Sequence, residues 1–145
     1  MDWVGRLKLR IKKNTIAKFN IKRMTLKYFK RSEFNCKCGC NTNNIDSDFL
    51  EMLDRARRIS GVPYRINSGY RCDKHSLSVK NPTSSHIKGI AADIKFDNGH
   101  NLATILSGLG GAGFERFGID FKNKFIHTDC DDLKTSPCIW GYPTK

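Results

Sequence analysis

The sequence predicts an α+β domain, an antiparallel sheet with flanking helices, and three observations carry that expectation. Phe49, Leu50, Leu53, Ala56 and Ile59 recur at helical spacing. Ile90 to Phe96 alternates at the strand period, and Phe117 to Asp129 reads as two strands about a Lys122-Asn123 turn. Helices and strands segregated along the chain in this way give the α+β class. A chain of 145 residues with 39% hydrophobic content suits one compact domain with one core.

The elements follow in chain order. Residues 1–31 hold 11 Lys/Arg against the single acid Asp2, whereas residues 32–145 hold 15 against 13. Arg6-Leu7-Lys8-Leu9-Arg10-Ile11-Lys12 alternates basic with apolar, and Ala17 to Lys22 partly repeats the pattern after Asn14-Thr15. A β-hairpin with one cationic face is therefore expected inside a basic extension at 1–27, ahead of a domain at 28–145. Residues 1–31 would attract an anionic polymer through long-range electrostatics, and cell wall, nucleic acid and a lipid surface all qualify. The plainer reading is a solubilising extension. A helix is expected from Asp46 or Ser47 to Ser60, ended by Gly61. Val62 to Asn67 reads as a strand feeding a turn at Ser68-Gly69-Tyr70-Arg71, and Asn101 to Leu109 as a second, shorter helix before a Gly110-Gly111 break.

The chemistry concentrates in Ser84-Ser85-His86-Ile87-Lys88-Gly89-Ile90-Ala91-Ala92-Asp93 and in Phe125-Ile126-His127-Thr128-Asp129. Gly89 permits a turn that a Cβ would resist. Beyond it, Ile90, Ala92, Ile94 and Phe96 share one strand face, and Ala91, Asp93 and Lys95 share the other. Asp93 thus leaves the apolar face and can meet a histidine on the preceding loop. On the last strand, Phe125, His127 and Asp129 share a face, which places Asp129 near any metal on His127. His86, Asp93 and His127 read as a split zinc site, two imidazoles and a carboxylate that leave a fourth tetrahedral position for water. An isolated histidine on a strand is usually structural, and the spacing with Asp93 is what favours ligation here. His75 and His100 match no metal pattern and read as ordinary polar loop residues.

The pattern Ser84-x-His86-x-x-Gly89-x-Ala91-x-Asp93 with a late His127-x-Asp129 resembles the M15 family of zinc peptidases. That family includes D-Ala-D-Ala carboxypeptidases, dipeptidases and phage endolysins, and Hedgehog signalling domains share its fold. Ser32-Glu33-Phe34-Asn35-Cys36-Lys37-Cys38-Gly39-Cys40 and Asn67-Ser68-Gly69-Tyr70-Arg71-Cys72 also resemble recurrent segments of its small phage and bacterial subgroup. The similarity runs from about Tyr28 to about Asp131. It implies zinc on His86, Asp93 and His127, with Arg71 reaching into the cleft to stabilise developing charge and Ser84 helping to hold substrate. Some branches carry a Glu or Asp three residues before the last ligand, and others a second histidine two residues before it. Here those positions are Lys124 and Phe125. Asp129 is then the first candidate to accept the proton of the activated water, and Asp120 the second; Asp129 could instead orient a ligand or pair with Arg71.

The resemblance implies a zinc metallopeptidase that cuts a stem-peptide or cross-link bond of bacterial peptidoglycan, as a phage endolysin or related lysis enzyme. No apolar run approaches the roughly 20 residues that span a bilayer, and the N-terminus has neither a secretory apolar stretch nor a small-residue cleavage site. The expectation is a soluble, unprocessed product of the host cytoplasm that reaches the wall through a holin, through host lysis or within a virion. Two other classes stay open: a zinc-fold binding module without hydrolysis, and a basic nucleic-acid or virion-associated protein acting through its N-terminus. Base-stacking aromatics interleaved with the basic run are missing, which weakens the last.

Six cysteines, Cys36, Cys38, Cys40, Cys72, Cys130 and Cys138, allow packed thiols, disulfides or a second, structural metal site made by Cys36, Cys38 and Cys40 with Cys72. One-residue spacing is poor for the usual two-residue zinc knuckle. Cys130 falls on the strand face opposite Asp129 and is not counted as a catalytic ligand.

Overall fold

The computed structural model describes residues 25–144. The hairpin expected at 6–22 lies outside them. A short 3-10 turn, Arg31–Phe34, is followed by α1 (Ser47–Ser60), β1 (Arg65–Ser68), α2 (Ser76–Lys80), β2 (Ala91–Lys95), α3 (Gly99–Ala112), β3 (Arg116–Asp120), β4 (Phe125–Asp129) and β5 (Cys138–Gly141).

The five strands form one sheet in the order β1-β2-β4-β3-β5. The first four pair antiparallel, and β5 runs parallel to β3. The class is α+β as expected, but the sheet is mixed rather than antiparallel. β4 ends beside the start of β3, and residues 130–137 pass that same end of the sheet to begin β5 on the far side of β3, so β5 runs with β3.

α1 starts where Asp46 accepts a hydrogen bond from the Phe49 backbone and ends at Gly61, which is left-handed at φ 69°. Its stripe of Phe49, Leu50, Leu53 and Ala56 is buried, whereas Ile59 is 49% exposed and leaves the expected core set. α3 is longer than expected: it begins at Gly99, capped by Asn98, and runs through Gly110 and Gly111 to stop at Gly113. Packing against α1 holds those glycines in helix although their intrinsic propensity is poor. β1 begins at Arg65 rather than Val62, and the short α2, capped by His75, has no clear signal in the sequence.

The pleat divides the sheet by face. Ala92 and Ile94 of β2, Ile119 of β3 and Ile126 of β4 join one core with Leu50, Leu53, Leu102, Ile105 and Leu109 of the helices. Residues one position out of phase, Asp93, Gly118, His127 and Asp129, therefore face away from that core. Burying one face fixes the register, and the register sets Asp93 opposite His127. No helix among the described residues is long and apolar enough to cross a membrane.

Candidate active site

The loop before β2 is shaped by Gly89. Its φ is +73°, and a Cβ there would lie 2.2 Å from the Asn44 carbonyl oxygen. Its own carbonyl accepts from the Asp46 backbone, so the loop is tied to the start of α1. On that loop His86 is 2% exposed and points at Asp93, 7% exposed, and His127, 8% exposed.

Three atoms converge. His86 Nε2 lies 3.2 Å from Asp93 Oδ1 and 3.2 Å from His127 Nδ1, and His127 Nδ1 lies 3.0 Å from Asp93 Oδ1. Four ligands at tetrahedral angles and roughly 2.0–2.2 Å from a cation stand about 3.3–3.6 Å apart, so these positions are a few tenths of an ångström from a metal triad.

The far side of each group is also held. His86 Nδ1 donates to the Gly69 carbonyl at 2.7 Å, leaving its Nε2 lone pair facing inward. His127 Nε2 donates to Asp129 Oδ2 at 2.8 Å, leaving its Nδ1 lone pair facing inward. Asp93 Oδ2 accepts from the Arg71 guanidinium at 2.8 Å. Two imidazole lone pairs and a carboxylate oxygen aimed at one point repel one another unless a cation stands between them. The donor set therefore fits a metal, and the outer hydrogen bonds are those that fix ligand tautomer and orientation.

The electrostatics differ between the two imidazoles. Burial pushes His86 down towards the neutral form that ligates. For His127 burial acts the same way, but its bonds to Asp129 and Asp93 outweigh burial and raise it. Burial alone would raise Asp93, yet His127 and His86 hold its carboxyl well below the usual range. Burial likewise opposes ionisation of Asp129, and hydrogen bonds from His127 and Arg116 overcome it, leaving this carboxyl at about 2.

The triad opens on a cleft of about 470 Å³ whose lining includes Arg71, Ser84, Arg116, Asp129, Trp140 and Tyr142. Arg71 is fixed by Ser68 Oγ at 2.9 Å as well as by Asp93, so its charge stands at the cleft. Ser84 lines the wall with its hydroxyl accepting from the His86 backbone at 3.3 Å. Asp129 lies across the imidazole from the converging atoms, with Oδ1 bound by Arg116 Nε at 2.7 Å and by the Asp131 backbone at 3.0 Å. Asp120 is not brought to the cleft lining: its carboxylate accepts from the backbone and side chain of Asn123 and closes the β3–β4 turn. Lys124 is in that turn at φ 53°, with its amine on the Asp97 carbonyl.

Three cleft residues escape the sequence reading. Arg116 is 8% exposed, stacks 5.1 Å from the Trp140 ring and binds Asp129. Trp140 stands 5.7 Å from the His127 ring, and Tyr142 packs on Phe125 at 5.3 Å. A Cβ on Gly118 would come within 2.6 Å of the indole, so the missing side chain makes its berth. The usable signal is Arg116-x-Gly118 on the face that carries His127 across the hairpin.

A buried His–Asp–His set with its outer atoms tied and one side open to a cleft is the arrangement of a metal-dependent hydrolase. The model of the Peptidase M15 family matches residues 27–129, and the chain belongs to that family of metal-dependent peptidases, which act on peptide substrates. No curated protein matches the chain.

Proposed function

We propose that this M15 peptidase binds zinc through His86 Nε2, Asp93 Oδ1 and His127 Nδ1 and hydrolyses a peptide bond of bacterial peptidoglycan, in the manner of a phage endolysin. The observation that carries the reading is the convergence of those three atoms, each with its opposite side held. Held by these three residues, zinc would supply Lewis-acid chemistry, lowering the pKa of a water towards neutral and polarising a carbonyl.

The chain's own residues do the remaining work. Arg71, anchored on Ser68 and Asp93, offers a fixed cation for the oxyanion or for a substrate carboxylate, and fixed donors of this kind are worth about 3–4 kcal/mol at the transition state. Asp129 holds His127, and Arg116 holds Asp129, so both act as positioning residues. Ser84, Trp140 and Tyr142 supply wall contacts to the substrate, and Lys80 and Lys134 add positive charge to the same cleft. Stem peptides carry free carboxylates, which suits this charge.

The test is release of new amino groups from purified peptidoglycan by the zinc-loaded protein and by His127→Ala, with mass spectrometry of the products. Release that depends on His127 supports the reading and identifies the bond. A second reading, a zinc-fold binding module without hydrolysis, is favoured by Lys124 at the position where the resemblance implies an acid in some M15 branches, and by the prior engagement of both cleft carboxylates, Asp93 and Asp129. Stoichiometric zinc with no amine release would select it.

A further inference from the structure

We propose that Cys36, Cys38, Cys40 and Cys72 form a second metal site, a closed tetrathiolate that takes a soft divalent cation, zinc foremost, and fixes the segment carrying Arg71. Their four sulfur atoms all lie within 4.8 Å of one another. Cys38 Sγ is 3.5 Å from Cys36 Sγ and 3.5 Å from Cys72 Sγ. Four thiolates about zinc at roughly 2.3 Å form a tetrahedron with edges of about 3.8 Å, within the range these sulfurs span.

One-residue spacing suits such a site only if the backbone is not extended, because alternate side chains of a strand stand roughly 7 Å apart. The chain meets that condition. Gly39 is at φ +101° and Asn41 at φ 54°, both left-handed, and the Cys36 backbone donates to the Thr42 carbonyl at 2.8 Å, closing the loop on itself. Cys36, Cys38 and Cys40 are thereby gathered on one side of the loop, and Cys72 comes from the turn after β1.

Two features separate this from ordinary thiol packing. Cys36 and Cys72 are buried, but Cys38 and Cys40 are exposed, and no apolar burial draws two exposed thiols onto two buried ones. Backbone N–H groups also aim at sulfur: Cys72 N at Cys36 Sγ, 3.3 Å, and Thr42 N at Cys40 Sγ, 3.5 Å. Such bonds support sulfur that carries negative charge, as metal-bound thiolate does. With four protein donors no position is left open, so the site is structural.

Its position gives it a consequence. Cys72 follows Arg71 directly, Tyr70 N donates to the Phe34 carbonyl at 3.0 Å, and Gly69 supplies the carbonyl that fixes His86. A cation on the four sulfurs ties the 35–42 loop to this strand end and so steadies two groups of the cleft.

The test counts metal and follows thiol reactivity in the full chain purified under reducing conditions. Wild type is expected to hold about two zinc per chain. His86→Ala/His127→Ala is expected to keep about one, and on cobalt(II) exchange to show the intense near-ultraviolet sulfur-to-cobalt charge-transfer band. Cys38→Ser/Cys40→Ser is expected to lose that band and one metal. In wild type, Cys38 and Cys40 should react with iodoacetamide only after a strong chelator is added, which tests the site even if the serine variant fails to fold. Alkylation of Cys38 and Cys40 at a rate indifferent to chelator, a cobalt form without the band, or disulfides among the four in the intact mass would each overturn the proposal. Failure of the His86/His127 centre would show separately, as loss of the other metal equivalent with the charge-transfer band intact.

Discussion

Asp129 meets His127 at Nε2, 2.8 Å away, on the ring edge opposite the nitrogen that faces Asp93 and His86. A carboxylate there fixes the tautomer and makes the imidazole a stronger donor at Nδ1. With its carboxyl held at about 2, it stays ionised throughout the neutral range. Asp129→Asn should weaken metal binding at the His–Asp–His set by about 10–100-fold, read by competition with a chelator of known affinity. Unchanged metal affinity with a collapsed turnover number would instead make Asp129 a proton acceptor.

Arg71 is expected to matter for turnover more than for folding. It is partly exposed, spans Ser68 Oγ and Asp93 Oδ2, and lines the cleft. Arg71→Ala should lower kcat/KM by about 10²–10³-fold with little change in denaturation midpoint. Arg71→Lys should recover little of it, because a point charge cannot span the same two oxygens. Full activity in the lysine variant would show that charge alone suffices.

Gly118 and Trp140 offer a steric test. A methyl group on Gly118 would stand 2.6 Å from the indole, and the β3–β5 register places the two residues side by side. Gly118→Ala should cost about 1–3 kcal/mol or drive Trp140 from its place beside His127. Denaturant unfolding and Trp140 emission, measured in a Trp3→Phe background, check this. An unaltered midpoint with unaltered emission would mean that β5 adjusts freely.

What the sequence makes legible is whatever local rules determine. The Asp46 cap, the Leu50–Leu53 stripe and Gly61 mark α1 because capping and periodicity lie within a few residues of one another. The β3–β4 hairpin is legible for the same reason, and alternation in β2 puts Asp93 and Ile94 on opposite faces. The places of Arg116, Trp140 and Tyr142 depend on β5 returning parallel to β3 after an irregular stretch, and no periodicity reports that. Gly110 and Gly111 mislead because packing of α3 on α1 overrides their propensity. The role of Asp129 turns on which imidazole nitrogen faces inward, a choice made by tertiary contacts.

Asp131 is expected to carry a pH-dependent part of the stability. It is 2% exposed and accepts from Ser85 Oγ at 2.8 Å, from Lys88 Nζ at 2.9 and 3.0 Å and from the Leu133 backbone at 3.3 Å. Burial alone would raise its carboxyl, but the bonds from Lys88 and Ser85 outweigh burial and lower it. A carboxyl lowered on folding stabilises the native state above its unfolded value of about 3.9, and that contribution is lost as pH falls below this value towards the folded one. At pH 7, Asp131→Asn should cost about 1–3 kcal/mol, the range for unmaking a buried hydrogen-bonded group. The gap in unfolding free energy between wild type and variant should hold steady from about pH 7 to about pH 5 and narrow below about pH 4. Other carboxylates titrate equally in both proteins, so the difference isolates Asp131. A gap of constant size down to about pH 3 would show that its charge contributes nothing and that only its shape is needed between Ser85 and Lys88.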